Sequence, residues 1–176
     1  LISFGKIKFI YSKFKKTLYI YLINRMTKEW GPPTWYLIHT LAEKIIDERF
    51  LKMKVELFNI IKIICSNLPC PDCANHASTL LKSVKLDTIK SRSEFKNLFL
   101  SFHNHVNKKL NKPQFTLQQL NTKYEKANIN NIVAYFVANW SKKSHILKLM
   151  TLELHKQRAL KQFNEWWKQN HIHFNA

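Results

Sequence analysis

The sequence predicts an all-α protein, a four-helix bundle plus a short fifth helix, with a C-terminal helical extension. Three observations carry this. Apolar residues recur at three- and four-residue spacings through most of the 176-residue chain. The connections between these runs are short, and none shows the alternation of a half-buried strand. Only two glycines occur, Gly5 and Gly31, which disfavours β-sandwiches, Gly-rich phosphate loops and Rossmann turns, since these need positive φ or close backbone approach.

The elements follow in order. Pro32 and Pro33 suit a first helical turn, where no N–H donor is needed, and Trp35, Ile38, Leu41, Ala42 and Ile45 continue the helix to about Asp47. A second run holds Val55, Phe58, Ile61, Ile64 and Cys65 and ends near Leu68, where Pro69 cannot continue the ladder. Pro71 opens a third helix carrying Cys73, His76, Ala77 and Leu80. A fourth runs from about Ser93 to Leu110, with Phe95, Leu98, Phe102, Val106 and Leu110 as its apolar side, and Lys112-Pro113 stops it. Thr116 is a suitable N-cap for a fifth, shorter helix to Tyr124. A segment from about Ile132 to Trp140 closes the compact part. Lys143 to Gln169 reads as a long basic helix with a weak stripe of Ile146, Leu149, Leu152, Leu160, Phe163 and Trp167, suited to packing on the core or on a second subunit. The expected division is a basic extension over 1–25, a domain over 26–142 and a helical extension over 143–176.

The net charge of +18 is concentrated at the ends. Residues 1–25 carry six Lys/Arg and no acid, and residues 141–176 carry seven against two, leaving +7 for the middle. Non-specific attraction to polyanions follows at low salt, and a basic nucleic-acid-binding module without catalytic activity is the alternative reading. Specific nucleic-acid binding is not expected, because abundant Lys, Asn, Ile and Phe reflect an AT-rich coding sequence. No stretch approaches the roughly 18 to 20 apolar residues of a membrane span. Thr17 to Ile23 is apolar behind Lys13, Lys15 and Lys16, but no small-residue cleavage pattern follows it. Met26 precedes the organised part, so the first 25 residues are read as a natural extension or as sequence upstream of the true start.

The chemistry centres on Leu68-Pro69-Cys70-Pro71-Asp72-Cys73. Two intervening residues at a helix N-terminus bring the thiols within disulfide reach, and the free N–H groups favour a thiolate. So short a loop points to redox work or to metal, since a structural bridge does most when it closes a long one. By count, Cys70, Cys73, His76 and one further histidine would satisfy zinc, but no second Cys pair exists and no metal is expected. Cys65, inside an apolar run, reads as a small core residue. A thioredoxin-class reading lacks its βαβ pattern. On the fourth helix His103, Val106, Asn107 and Leu110 share a face at offsets of three, four and seven, where a ring, an aliphatic and a carboxamide can stack on and hydrogen-bond a purine. Trp35 and His39 align similarly on the first helix.

Three blocks together carry a resemblance: Trp30-Gly31-Pro32-Pro33-Thr34-Trp35-Tyr36-Leu37-Ile38-His39-Thr40-Leu41-Ala42, the Cys70-Pro71-Asp72-Cys73 block with His76, and His103-Asn104-His105-Val106-Asn107-Lys108-Lys109-Leu110-Asn111-Lys112-Pro113. In order and separation they resemble the Erv/ALR flavin-linked sulfhydryl oxidases, over about residues 28–142, and most of all the small members encoded by large DNA viruses. The resemblance implies a homodimeric helical bundle with non-covalent FAD. It makes Cys70 and Cys73 the redox disulfide, with Cys73 nearest the flavin and Cys70 exchanging with substrate. Trp30, Trp35 and His39 would line the flavin, with His76 near the cofactor. His103, Val106 and Asn107 would hold the adenine, Lys109 and Lys112 would meet the pyrophosphate, and Tyr124 and Trp140 would contact the adenine end. The implied reaction forms disulfides in protein thiols and passes electrons to molecular oxygen, giving hydrogen peroxide. Many members carry a second, shuttle cysteine pair. Here the third cysteine is Cys65, so a thiol-bearing protein, a small thioredoxin-like or C-x-x-C partner, is expected to reduce Cys70 directly. A viral origin would put the protein in host cytoplasm or virion.

Overall fold

The computed structural model describes residues 29–142 and 150–176. The expected basic extension over 1–25, the start at Met26, and Ile146 and Leu149 of the C-terminal stripe lie outside the described residues.

Helix α1 covers residues 29–44, with both prolines in its opening turns. The sequence extends it to Asp47, and the structure ends it earlier. Ile45 leaves the helix to pair antiparallel with Phe174, Ile46 is extended, and α2 runs Asp47–Ser66. The cause is tertiary. Ile46 N–H donates to the His173 carbonyl at 3.0 Å and Asn175 N–H to the Lys44 carbonyl at 2.8 Å, so the distant C-terminus takes backbone groups that a continuous helix would use internally. Arg92 secures the break by donating to the Glu43 carbonyl at 2.8 Å and pairing with Asp47 at 2.9 Å. Asp47 and Glu48 then occupy the first turn of α2, where the helix dipole favours anions.

The second helix thus begins eight residues before the Val55 at which its periodic run opens. Its buried face is Phe50, Met53, Leu57, Ile61 and Ile64, and Val55 is half exposed, because it lies off that face. Cys65 is buried as expected, and burial pushes its thiol up to about 12.

Helix α3, Pro71–Lys82, turns Ala74, Ala77 and Leu81 inward. Helix α4, Arg92–Lys109, is capped by Ser91 and buries Phe95, Phe99, Phe102, His103 and Asn107. Leu110, placed on its apolar side from spacing, is instead the exposed residue after the last turn. Asn111 follows with φ of 52°, a left-handed position that asparagine tolerates better than most residues and that reverses the chain after the helix. Helix α5, Leu117–Tyr124, starts at the expected Thr116 cap, completed by Gln119 as a capping box. Helix α6, Ile129–Trp140, begins three residues before Ile132, because Asn128 caps it.

Helix α7, Met150–Asn170, packs against α2 and α6. Phe163 is fully buried, its ring 5.1 Å from that of Phe136. Lys156, also buried, donates to the Lys142 carbonyl at 2.6 Å and pairs with Glu153 at 2.9 Å. No helix of the described residues is long and apolar enough to cross a membrane. Phe163→Ala should cost about 3–5 kcal/mol, the usual penalty for a fully buried ring, read as a fall in the urea midpoint.

Candidate functional site

Two helices supply one cluster of rings. On α1, Trp35 and His39 stand one turn apart, and on α4 His103 and Asn107 do the same. The Trp35 indole lies flat on the His103 imidazole, centroids 3.9 Å apart and planes 5° from parallel. His39 Nε2 and His103 Nδ1 are 2.8 Å apart in a buried hydrogen bond. Such a bond needs one ring to donate and the other to accept, and two cations could not form it. Burial, then the neighbouring His103 and Lys123, lower the His39 pKa to about 3. Burial, then Lys123 and Lys112, lower that of His103 to about 4. Both rings are neutral at physiological pH. Tyr124 closes the cluster 5.2 Å from His39, and its hydroxyl pKa is raised by burial and then by Tyr36.

Because both imidazoles titrate below the 6.5 of an unfolded histidine, the unfolded chain binds more protons between pH 6.5 and 4. Stability is therefore full above about pH 6.5 and falls as pH drops toward 4. The expected slope approaches two protons, about 2.7 kcal/mol per pH unit. Urea melts of cofactor-free protein across this range check it, and His39→Asn should flatten the curve.

Asn107, below His103, donates from Nδ2 to the Pro113 carbonyl at 2.9 Å. Its neighbour Asn104 holds both backbone groups of Phe115 at 2.8 Å. The 110–115 turn is thereby folded back against α4, and the Phe115 ring reaches within 5.3 Å of His103. Lys123 sits over this rim, 4.7 Å from the Tyr36 ring and 5.6 Å from those of Phe115 and Tyr124. Lys109 and Lys112 are exposed at the same end of α4. Cations around neutral rings suit an anionic, ring-bearing ligand.

Trp30 and Trp140 are joined through a third residue. The Trp140 indole N–H donates to Thr34 Oγ1 at 3.0 Å, and Thr34 donates to the Trp30 carbonyl at 2.6 Å. The Trp140 ring lies 4.9 Å from Phe136, within the core rather than among the imidazoles. Val106 packs partly buried against the core. Among the described residues of α1, the buried atoms with no hydrogen-bond partner include Trp30 Nε1, His39 Nδ1 and Thr40 Oγ1.

The cysteines sit on the adjoining helix. Cys70 and Cys73 form a disulfide with Cα atoms 5.2 Å apart. Cys70 is the N-cap of α3, its sulfur accepting from Cys73 N–H at 3.3 Å, so a backbone dipole faces the sulfur and favours a thiolate there. Cys70 is 4% exposed, and Cys73 is half-buried. His76, one turn on, stacks on His105 of α4 with centroids 5.0 Å apart. Burial, then Lys109 and His105, lower the His76 pKa.

The structure thus gathers Trp35, His39, His103 and Tyr124 directly, sets Asn107 a turn away, and ties the cysteine helix to α4 through His76. Sequence reasoning missed Thr34, Asn104, His105, Phe115 and Lys123 as parts of this arrangement. Four of the five lie inside or within two residues of the quoted blocks, and adjacency to them is the signal that was there to use. Lys123 had only its position beside Tyr124.

Comparison with known proteins agrees with this reading. Residues 32–125 match the Erv1/Alr family. A protein of Invertebrate iridescent virus 3, 096R, named among the FAD-linked sulfhydryl oxidases, is 35% identical over 98 residues, 55% of this chain and 66% of its own. The FAD-linked sulfhydryl oxidase ERV1 of Oryza sativa subsp. japonica is 33% identical over 56% of this chain and 50% of its own. The FAD-linked sulfhydryl oxidase of African swine fever virus, isolate Tick/Malawi/Lil 20-1/1983, is 32% identical over 64% of this chain and 96% of its own. The chain thus spans about two thirds and one half of the first two relatives and nearly all of the third. No solved structure matches it. The match runs from the prolines that open α1 through the cysteine pair and the imidazole face of α4 to the end of α5, and the chain belongs to the Erv1/Alr family.

Proposed function

We propose that this protein is an FAD-dependent thiol oxidase that forms disulfides in protein substrates. The observation that carries the proposal is a helix-capping Cys70–Cys73 disulfide on a helix that contacts α4 through His76 and His105, the same α4 that carries His103 of the Trp35–His103 stack. The residues fit the cofactor. His39 Nδ1 and Trp30 Nε1 are buried polar atoms without protein partners, of the kind a ligand satisfies. The flat indole and imidazole faces suit a purine and a flavin, and Lys109, Lys112 and Lys123 suit a pyrophosphate. Because Asn107 Nδ2 is committed to Pro113, its carboxamide oxygen is the atom left to accept from an adenine amine.

In the proposed reaction a substrate thiolate attacks Cys70 Sγ. The Cys70–Cys73 bond breaks, a substrate–Cys70 disulfide forms, and Cys73 leaves as a thiolate. The substrate's second thiolate then attacks its own sulfur in the mixed disulfide and expels Cys70, whose thiolate the Cys73 N–H stabilises. Re-forming the Cys70–Cys73 bond from the two thiolates releases two electrons, which FAD, when bound, would accept and pass on to oxygen, giving hydrogen peroxide. The half-buried surface of Cys73 is where a flavin ring would lie.

A visible spectrum tests the reading. Purified protein should carry the oxidised-flavin band, which anaerobic dithiothreitol bleaches and air restores with hydrogen peroxide release; a colourless protein inert to dithiothreitol would end it. A homodimer is also proposed, and sedimentation velocity over a concentration series checks it.

A further inference from the structure

From the geometry beside the cysteine pair, and resting on the thiol-oxidase reading, we infer that the first turns of α7 form one wall of a docking groove. Its occupant is the uncharged, extended segment that flanks the dithiol in the protein substrate. The groove, of about 180 Å³, has Leu68, Pro71 and Asn75 from the α2–α3 corner on one side and Thr151, Leu152 and His155 on the other. Leu68 and Pro71 flank Cys70 in sequence, so an occupant there lies along the segment that carries the exchanging sulfur.

Several features select this occupant. The groove is smaller than the roughly 300 Å³ of an ordinary small-molecule site, so it suits one or two side chains of a longer partner. In a chain of net charge +18, its lining among the described residues contains no Lys, Arg, Asp or Glu. That disfavours polyanions and charged segments, for which the rest of the surface is better suited. Leu68, Pro71 and Leu152 offer apolar contact, while Asn75 and Thr151 carry side-chain groups able to bond a peptide backbone. Cys65 is buried in α2, so in the proposed reaction the electrons for Cys70 come from the substrate's thiols. Finally, α7 lies beyond the matched residues 32–125, which separates this wall from the chemistry shared across the family and makes it the element that sets this chain's substrate preference.

The test uses holoprotein and three reductants: dithiothreitol, a capped Cys-Ala-Ala-Cys peptide, and a longer peptide with the same core and neutral flanks. Flanks should raise kcat/KM about tenfold over the bare core, the discrimination that a single apolar side chain gives in a pocket. Thr151→Arg and Asn75→Arg, both at exposed positions, should abolish that advantage through KM, with kcat, flavin content and dithiothreitol turnover unchanged. A Glu-flanked peptide should regain it on the Arg variants. The inference is overturned if flanks give the wild type no advantage, if the Arg variants keep the advantage, or if they lose dithiothreitol turnover in equal measure. Arg variants that change self-association while keeping the flank advantage would assign the groove to a second copy of the chain and also overturn it. Failure of flavin-loaded wild type to oxidise dithiothreitol would instead sink the thiol-oxidase reading beneath it.

Discussion

Cys70→Ser and Cys73→Ser should each reduce dithiol oxidation to background, a loss of a thousandfold or more, while FAD stays bound. Covalent exchange needs both sulfurs of the pair, and the third cysteine of the sequence, Cys65, is no substitute. Cys65 is buried in α2 with its thiol held protonated, and Cys65→Ser should keep activity. The two inactive variants separate by a further measurement. Cys73→Ser leaves Cys70 as a lone thiol at the α3 N-terminus, which should react with an aromatic disulfide reagent at lower pH than an ordinary cysteine, since the Cys73 N–H and the helix dipole stabilise its thiolate. Cys70→Ser retains a thiol without that cap and should react only at higher pH. Oxygen uptake and reagent titration check both, and full turnover in the Cys73 variant would end the proposed exchange.

The double change His103→Ala, Asn107→Ala should weaken FAD binding by roughly 30- to 1000-fold, the equivalent of about 2–4 kcal/mol of lost stacking and hydrogen bonding. The protein itself will also lose stability, in a way that added FAD does not repair. His103 stacks on Trp35 and bonds His39, and Asn107 anchors the turn at Pro113. The prediction therefore has two parts. Without cofactor, the variant should melt below wild type. Saturating FAD should raise the melt of both, the variant needing the higher concentration, because linkage depends on the ratio of ligand to dissociation constant. Flavin affinity equal to that of wild type, with the melt still depressed, would return both residues to simple core packing.

Much of this protein was determined by its sequence, because the signals are local. Helical periodicity located α3 and α4, although of the apolar side read for α4 only Phe95 and Phe102 are buried, Pro69 and Pro71 placed the cysteine pair at a helix start, and Thr116 specified the start of α5. Three short blocks held the cysteines and the imidazole face whose mutual distances the fold later supplied. What the tertiary structure decided depends on partners distant in sequence. The break between α1 and α2 exists because residues 173–175 compete for its backbone groups and Arg92 clamps it, and no window around Ile45 contains that competition. The neutral state of His39 and His103 arises only when α1 and α4 bring two rings into one dry contact beside Lys123. Helix α7, legible as a weak stripe, found its place against α2 and α6, where burying Phe163 beside Phe136 outweighs the charge along its exposed side.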